Sequence, residues 1–261
     1  MRIPKAQREA LARQDALFIA EGLRPGDPRS TEAHLRHTAL LLRDRQARSP
    51  CAKAVAHVAG LFERSIPSVA RGAIACASGC AWCCHQPVFV TPPEAFFVAD
   101  QIRTRTETIA AMERALSAVA GRQADAERVP WVRCPLLGDD NLCSVYASRP
   151  LACHAYVSIR VEDCRHSYPH PGNATVTAPA AYREVRELCR MILLAAARVN
   201  GLTDAGYEMN AAVIAVLGAD NAEKRWLRGE DIFAGIPRTS PLSPQDDRKI
   251  AFMAASIAPT L

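Results

Sequence analysis

Four cysteines fall within the ten residues "CASGCAWCCH" at positions 76 to 85, and this crowding restricts what the segment can form. They are Cys76, Cys80, Cys83 and Cys84, in a CxxxCxxCC pattern. Thiols so close in sequence are typical of bound metals or of redox pairs, whereas cysteines that only fill a core are more scattered. The segment therefore predicts metal binding first and thiol redox chemistry second.

A second group of cysteines begins fifty residues further along the chain, in "CPLLGDDNLCSVYASRPLAC". Its members are Cys134, Cys143 and Cys153. Gly138 and Asn141 suit a tight turn between the first two of them. We therefore expect a small hairpin or looped knuckle that brings Cys134 and Cys143 together.

The Arg149-Pro150 pair predicts the structure around Cys153. A residue before proline is pushed out of the helical region, and proline is favoured in the first helical turn. A helix should therefore start at Pro150 and place Cys153 near its N-terminus. The helix dipole and the charge of Arg149 would both favour the thiolate there, so we expect Cys153 to be a metal ligand.

The composition and the ends of the chain favour a soluble protein in a reducing cytoplasm. The chain has ten cysteines in 261 residues, fewer than a secreted disulfide scaffold would carry. The start "MRIPKAQREALARQDALFIAEG" lacks the apolar core of a secretory signal, and runs such as "MILLAAA" are far shorter than the roughly 20 residues of a membrane span. Thiolates under reducing conditions bind zinc or iron–sulfur clusters, for example of the [4Fe-4S] type. We expect one of these cofactors and no association with a membrane.

The net charge of +5 does not indicate a nucleic-acid partner. The basic residues of the first fifty positions alternate with acidic ones and are not interleaved with aromatic residues, which is typical of a solvated helix face. The sequence also contains no GxSxG, HExxH or P-loop motif. Any enzymatic activity would therefore depend on the metal site, and no catalytic residue is predicted.

Apolar residues at helical spacing predict a mainly α-helical framework. Three sets show the pattern, namely Val55, Val58, Phe62 and Ile66; Ile109, Met112, Leu116 and Val119; and Val185, Leu188, Ile192, Ala196 and Val199. Thr91, followed by two prolines, is a predicted helix N-cap. The expected fold is a helical, bundle-like framework around a cysteine-rich metal site with a small hairpin.

The expected organisation has four parts along the chain. Residues 1–70 form an N-terminal helical region, 71–165 the metal-binding domain, 166–235 C-terminal helices that pack on that domain, and 236–261 a flexible tail. The tail is assigned from "GIPRTSPLSPQDDRK", which is rich in proline, serine and charge.

The two cysteine motifs together resemble the YkgJ-like cysteine-cluster family, whose domain is described as chelating zinc or iron. The resemblance covers residues 76 to 164 and rests on seven cysteines in order, with a tyrosine and an Arg-Pro pair. It implies that these seven cysteines hold the metal, with Tyr146 and Arg149 beside the cofactor. Family members often have a further cysteine about ten residues on, and Cys164 stands at that place.

The resemblance also bears on partners, because a domain of this type occurs in flagellin lysine methylases. It implies that the chain acts together with another protein, by supporting its modification or maturation. Two alternatives remain open from the residues alone. The chain could be a structural zinc module that presents helical surfaces to a partner, or it could be a thiol redox sensor.

The remaining cysteines and the histidines fit other roles better. Cys189 lies on an apolar helical stripe and is expected in the core, while Cys51 stands alone near a predicted helix start. For Cys164 the alternative to ligation is a packed position on a strand. The histidines His85, His154, His166 and His170 are close to predicted ligands but are expected to donate hydrogen bonds or lie at the surface.

Overall fold

The protein is mainly α-helical, as the sequence predicts. Its structure is a computed structural model that describes residues 28–120, 132–167, 175–238 and 243–261. The helices of these ranges are α1 (Pro28–Arg43), α2 (Pro50–Ser65), α3 (Ser68–Gly72), α4 (Pro92–Ile102), α5 (Thr106–Ala120), α6 (Leu151–Ala155), α7 (Val161–Ser167), α8 (Ala180–Val199), α9 (Met209–Gly218), α10 (Ala222–Trp226) and α11 (Pro244–Ile257).

Extended and 3-10 segments are short in these ranges. Strand β1 (Phe89–Val90) pairs antiparallel with β2 (Tyr207–Glu208), with Phe89 opposite Glu208. Short 3-10 helices cover Trp82–His85, Tyr146–Ser148 and Ala258–Thr260. The first two of these 3-10 helices lie within the two cysteine motifs.

The predicted apolar faces of α2 and α8 lie largely in the core, whereas Met112 is buried and Ile109 and Leu116 are half-buried on the predicted face of α5. In α2, Val55, Val58 and Phe62 are at most 2% exposed, and α8 buries Val185, Ile192 and Ala196. Helix α8 contacts α1, α2, α6 and α11, so it lies at the centre of the helical framework. Since α6 carries Cys153, the cysteine region is attached directly to this central helix.

A second part of the core surrounds α4. This helix contacts α2, α5 and α9, and its Phe96 packs against Trp226 and Phe233 with ring centroids 5.4 and 5.8 Å apart. Tyr207 stacks on Phe233 at 4.8 Å. These aromatic contacts join β2 and α10 to α4, which borders the cysteine region through β1.

Thr91 caps α4 as predicted, and the capping residue Glu94 also reaches the cysteine region. The backbone amide and the hydroxyl of Thr91 donate hydrogen bonds to Glu94 Oε2, at 2.7 and 2.8 Å. Glu94 Oε1 accepts a third bond from the backbone amide of Leu151 at 2.8 Å. One buried carboxylate therefore holds the N-termini of both α4 and α6.

The structure differs from the expectation of a flexible tail at 236–261. Within it, α11 is a 14-residue helix that begins after the N-cap Ser243, whose hydroxyl accepts from the amide of Asp246 at 3.1 Å. Ile250, Ala254 and Ile257 of α11 are buried, because they share one helix face and pack against α1 and α8. The proline- and serine-rich sequence is confined to the approach to this helix. Residues 1–27 of the expected N-terminal helical region lie outside the described residues.

None of the helices in the described ranges combines the length and the hydropathy that crossing a membrane requires.

Candidate metal centre

All eight predicted metal-binding cysteines line one cavity of about 1250 Å³. The cavity lies between the loops of the two cysteine motifs and is bordered by β1, α6 and the first half of α8. The eight are Cys76, Cys80, Cys83, Cys84, Cys134, Cys143, Cys153 and Cys164. Residues up to 88 positions apart in the sequence thus meet around one space, since Cys76 and Cys164 are its first and last cysteines.

The first motif reaches the cavity as an irregular loop. If residues 76 to 84 were helical, the spacing would place Cys76, Cys80 and Cys83 on one face. The structure has no helix between Gly72 and Trp82, and Gly79 has a φ of +79°, which right-handed helices do not contain. Only Cys83 and Cys84 are helical, in the 3-10 turn Trp82–His85.

The second motif forms the predicted knuckle. Leu137 and Cys143 form an antiparallel bridge, and the amide of Gly138 donates to the carbonyl of Leu142 at 2.9 Å. Asn141 turns the chain with a φ of +59°, a conformation that asparagine tolerates well. Cys134 and Cys143 therefore lie on the two arms of one tight loop.

Backbone amides surround the sulfur atoms of this knuckle. The amide of Leu136 donates to the Cys134 thiol, and the amide of Val145 donates to the Cys143 thiol. Each bond comes from the residue two positions further on. Burial raises the pKa of both thiols, and these N–H donors offset part of that effect because they lower the cost of negative charge on sulfur. Both thiols must therefore lose a proton when they bind a metal.

A backbone hydrogen bond joins the two motifs. The amide of Cys134 donates to the carbonyl of Cys84 at 2.7 Å. The knuckle is thus fixed against the 3-10 turn that carries the vicinal pair Cys83 and Cys84.

Cys83 and Cys84 differ in acidity although they are neighbours. The Cys83 thiol hydrogen-bonds to the Cys84 sulfur, and together with the charges of Arg149 and Arg133 this lowers the pKa of Cys84 to about 7, against the effect of burial. The same hydrogen bond, with burial, raises the pKa of Cys83. Cys84 is therefore the anionic member of the pair and Cys83 the proton donor.

The helix around Cys153 forms as predicted, but the expected preference for thiolate does not follow. Helix α6 begins at Leu151 after the N-cap Pro150, and Cys153 lies in its first turn. Burial raises the pKa of the Cys153 thiol, and the opposing effect of Arg149 is smaller. A five-residue helix has a weak dipole, so desolvation dominates at this position.

Ser158 connects Cys76 with Cys164. Its backbone amide donates to Cys76 Sγ at 3.4 Å, its carbonyl accepts from the amide of Ala75 at 2.8 Å, and its hydroxyl hydrogen-bonds to the Cys164 thiol. Cys164 lies on helix α7, so the alternative of a packed strand position is wrong: the segment that follows "HAYVSIR" is helical.

Tyr146 and Arg149, predicted beside the cofactor, both line the cavity. The guanidinium of Arg149 lies over the Tyr146 ring, with its central carbon 4.2 Å from the ring centroid. Its charge also acts on Cys84, Cys143 and Cys153, where it favours the thiolate. Arg149 can therefore offset part of the negative charge that several thiolates create.

The other cysteines and the described histidines do not line the cavity. Cys51 and Cys189 are fully buried in the helical core, as expected for Cys189. His85 and His166 bond to backbone carbonyls within one helical turn. His154 pairs with Glu63 at 2.7 Å, and His170 lies outside the described residues.

Arg133 and Ser158 are part of the site but were not among the predicted residues. Arg133 donates to the carbonyls of Leu137 and Gly138 at 2.8 and 2.7 Å, which braces the knuckle from outside. Its position directly before Cys134 could have predicted this role, because a cation beside a metal ligand offsets the negative charge of that ligand. No local pattern marks Ser158, because its hydrogen bonds with Ala75 and Cys76 join segments more than 80 residues apart.

The chemistry of these donors fits zinc or an iron–sulfur cluster, both of which thiolates bind. Within the described residues, however, no three side chains of histidine, cysteine, aspartate or glutamate are already arranged as a metal site. Binding would therefore draw the thiols of the two loops closer together, which couples metal binding to local folding.

Residues 75–189 match the family model CxxCxxCC, described as "Putative zinc- or iron-chelating domain". This match confirms the predicted resemblance to the cysteine-cluster family over residues 75–189 and supports metal binding. It includes all eight cavity cysteines and extends beyond the predicted boundary, through much of α8 to Cys189. No curated protein and no solved structure matched the chain.

Proposed function

We propose that the cysteine-cluster domain of residues 75–189 binds an iron–sulfur cluster or zinc in its cavity and thereby supports the modification or maturation of another protein. The observation that carries the metal site is the convergence of eight thiols on one cavity. If these cysteines only filled a hydrophobic core, nothing would require all eight of them to line the same cavity.

The residues around the thiols have separable tasks. Arg149 and Arg133 favour the thiolate form of Cys84, and the amides of Leu136 and Val145 partly offset the burial that raises the pKa of Cys134 and Cys143. Trp82 lines the cavity and helps to exclude water from it. When bound, zinc would supply a rigid crosslink and Lewis acidity, whereas an iron–sulfur cluster would supply electron transfer.

An exposed apolar rim supports the proposal that the chain acts on a protein. Phe89, Leu142 and Tyr146 are 49%, 46% and 63% exposed, and all three line the cavity. They account for three of the six large apolar side chains that are exposed in the described residues. Apolar patches of this kind at the edge of a cavity are typical of surfaces that receive another molecule.

The local spacing favours iron over zinc. Cys80, Cys83 and Cys84 follow one another closely, and Pro135 directly follows Cys134, whereas zinc ribbons use two separated CxxC pairs. Cluster-binding runs have this closer spacing and often end in a Cys-Pro pair.

Metal content and colour test the proposal. Protein purified without oxygen should contain iron and acid-labile sulfide, and it should be brown, with broad absorption near roughly 400 nm from sulfur-to-iron charge transfer. Iron, zinc and sulfide are measured per chain in the same preparation. The variant Cys189→Ser serves as a control, because this buried residue lies outside the cavity and should leave the metal content unchanged.

The same measurement distinguishes the alternatives. Colourless protein with stoichiometric zinc and no iron would favour a structural zinc module. Metal-free protein whose thiols oxidise reversibly would favour a redox sensor, for which the hydrogen-bonded pair Cys83 and Cys84 would be the first candidate. Either result would contradict the iron–sulfur proposal, and the second would contradict metal binding as a whole.

A further inference from the structure

We propose that His34, His37 and His57 form a pH-sensitive contact between helices α1 and α2, which is stable while the imidazoles are neutral and loosens as the pH falls. This histidine cluster does not line the cavity of the cysteine region. The inference therefore does not depend on the proposed metal binding and concerns the helical framework.

The three histidines meet where α1 packs on α2. His34 and His37 are three residues apart and lie on one face of α1, and His57 reaches them from the middle of α2. The ring centroid of His57 is 5.3 Å from that of His34 and 4.4 Å from that of His37. His34 is only 1% exposed, and the other two are half-buried. The rings are thus part of the contact between the two helices.

One hydrogen bond in the cluster depends directly on protonation. Nδ1 of His34 and Nε2 of His57 are 3.3 Å apart, so one of these nitrogens donates a hydrogen bond to the other. A neutral imidazole has one acceptor nitrogen, whereas an imidazolium ring has two donors and no acceptor. If both rings took up a proton, two N–H groups would face each other and the bond would be lost.

The charges that act on His57 are those of basic groups. They come from His37 and His34 on α1 and from Arg64 on α2 itself. Arg64 folds back along its own helix, since a Cβ added at Gly60 would lie 3.1 Å from Arg64 Nη1. In the described ranges, α4 and α8, which also pack on α2, contribute no charge to this set. A proton on His57 would therefore be repelled by its neighbours and would gain no carboxylate partner from them.

Lys53 does not alter this balance. It lies one turn before His57 on α2, and its Nζ is 3.3 Å from Oδ2 of Asp44. The charge of Lys53 is therefore directed toward an acidic partner away from the cluster, and it is not one of the charges that act on His57.

The neutral form of His57 is the stable form in the folded protein. Burial and, after it, the charges of His37, His34 and Arg64 lower the pKa of His57 from its ordinary value of 6.5 to about 3. In the unfolded chain the imidazole regains its ordinary pKa and takes up a proton below about pH 6.5. The contribution of neutral His57 to stability is therefore complete above about pH 6.5 and is lost progressively as the pH falls from there to about 3.

The loss should be felt first at the contact of α1 with α2. Protonation places repelling charges at this contact, whereas α1 also packs on α8 and α11, and α2 also packs on α4 and α8. We therefore expect acid to loosen the contact locally before the helical framework unfolds.

The pH dependence of stability in a His57 variant tests the proposal. Between pH 7 and pH 5, the equilibrium constant for unfolding of the wild type should rise about 20-fold through this group, as linkage predicts for the pKa difference between the two states. His57→Gln keeps a hydrogen-bonding side chain that does not titrate, so this part of the rise should be missing from the variant. Urea unfolding of the full-length chain at both pH values measures the difference. Measurement before and after chelation separates it from any loss of metal in acid.

The control is His166→Gln, which changes an exposed histidine that bonds to the carbonyl of Glu162 within α7. It should retain the pH dependence of the wild type. Hydrogen exchange of the wild type, corrected for the effect of pH on intrinsic rates, should show α1 and α2 loosening more than α9 at pH 5. The same pH dependence in the wild type and in His57→Gln, or equal loosening of α9, would overturn the proposal.

Histidine ring signals in NMR spectra of the wild type give a second test that needs no variant to fold. The chain has seven histidines, and at least one ring should stay neutral in the folded protein from pH 7 to pH 5. Protonation of all seven rings in this range would overturn the proposal. Because none of these measurements requires bound metal, their outcome is distinguishable from a failure of the proposed function.

Discussion

The Cys84 thiol is prepared to be an anion near neutral pH. The hydrogen bond from Cys83 and the charges of Arg149 and Arg133 lower its pKa to about 7, whereas burial raises the pKa of Cys134 to about 12. A lowered pKa means that the thiolate form of Cys84 is favoured above about pH 7. Cys134, Cys143 and Cys153, whose pKa values are raised by burial, must lose protons when they bind metal, so metal uptake should be favoured as the pH rises.

Removal of the Arg149 charge should make Cys84 less acidic. In metal-free protein we expect Arg149→Met to raise the pKa of Cys84 by on the order of one unit, because a nearby cation stabilises the thiolate. The measurement is the pH profile of iodoacetamide modification, followed at Cys84 by mass spectrometry. At neutral pH the modification of Cys84 should be slower in this variant than in the wild type.

The control for this prediction is Arg248→Met on α11, an exposed arginine that does not line the cavity. It should leave the profile of Cys84 unchanged, and Arg149→Lys should restore part of the wild-type acidity. A Cys84 profile that is the same in Arg149→Met and in Arg248→Met would show that Arg149 does not set the acidity of this thiol.

At the scale of secondary-structure elements, the sequence predicts helices better than loops. The faces of α2 and α8 follow from apolar residues three and four apart, and both are buried as expected. The knuckle follows from Gly138 and Asn141. The irregular path of residues 73–81 does not, because its long-range hydrogen bonds are made with Ser158, a distant residue that no local pattern identifies.

Helix α11 illustrates a second limit of local patterns. The proline- and serine-rich sequence before it suggests a flexible tail, yet Ile250 and Ile257 are fully buried against other helices. Tertiary packing stabilises a helix whose sequence alone is only weakly amphipathic.

Among the site residues, the cysteines themselves were predictable from spacing, whereas their acidities depend on burial and on Arg133 and Arg149.

Glu94 should be a strong determinant of stability, since it joins α4 to α6. Its carboxylate is buried and accepts hydrogen bonds from the amide and hydroxyl of Thr91 and from the amide of Leu151. In Glu94→Gln, an amide NH₂ would face one of these donors. We expect the free energy of unfolding to fall by about 1–3 kcal/mol, as for other buried groups that lose a partner. Urea unfolding of metal-free protein measures this change.

The matched control is Glu107→Gln, which changes an exposed glutamate in the first turn of α5. It should alter stability by less than about 0.5 kcal/mol. Equal stability of Glu94→Gln and the wild type would mean that the carboxylate is not needed to hold the two helix ends.

In the molecule as a whole, two kinds of structure share one chain. The long helices α1, α2, α8 and α11 pack their apolar faces against each other. The cysteine region, residues 73–86 and 132–167, has short helices, tight turns and several half-buried thiols, and its buried leucine and valine residues are Leu136, Leu137, Val145 and Leu151. Such a region buries little apolar area of its own, so a metal crosslink would contribute a large part of its stability.

Metal removal should therefore loosen the cysteine region before the helical framework. After complete chelation under anaerobic conditions, we expect backbone amides of residues 73–86 and 132–167 to exchange hydrogen about tenfold faster or more, because local opening no longer has to break metal–thiolate bonds. Amides in the middle of α2 and α8 should keep their protection, since those helices are held by packing. Hydrogen exchange with mass spectrometry, performed on the same preparation before and after chelation, measures both regions together. Unchanged exchange in the cysteine region, or equal acceleration in α8, would contradict a metal that stabilises this region locally.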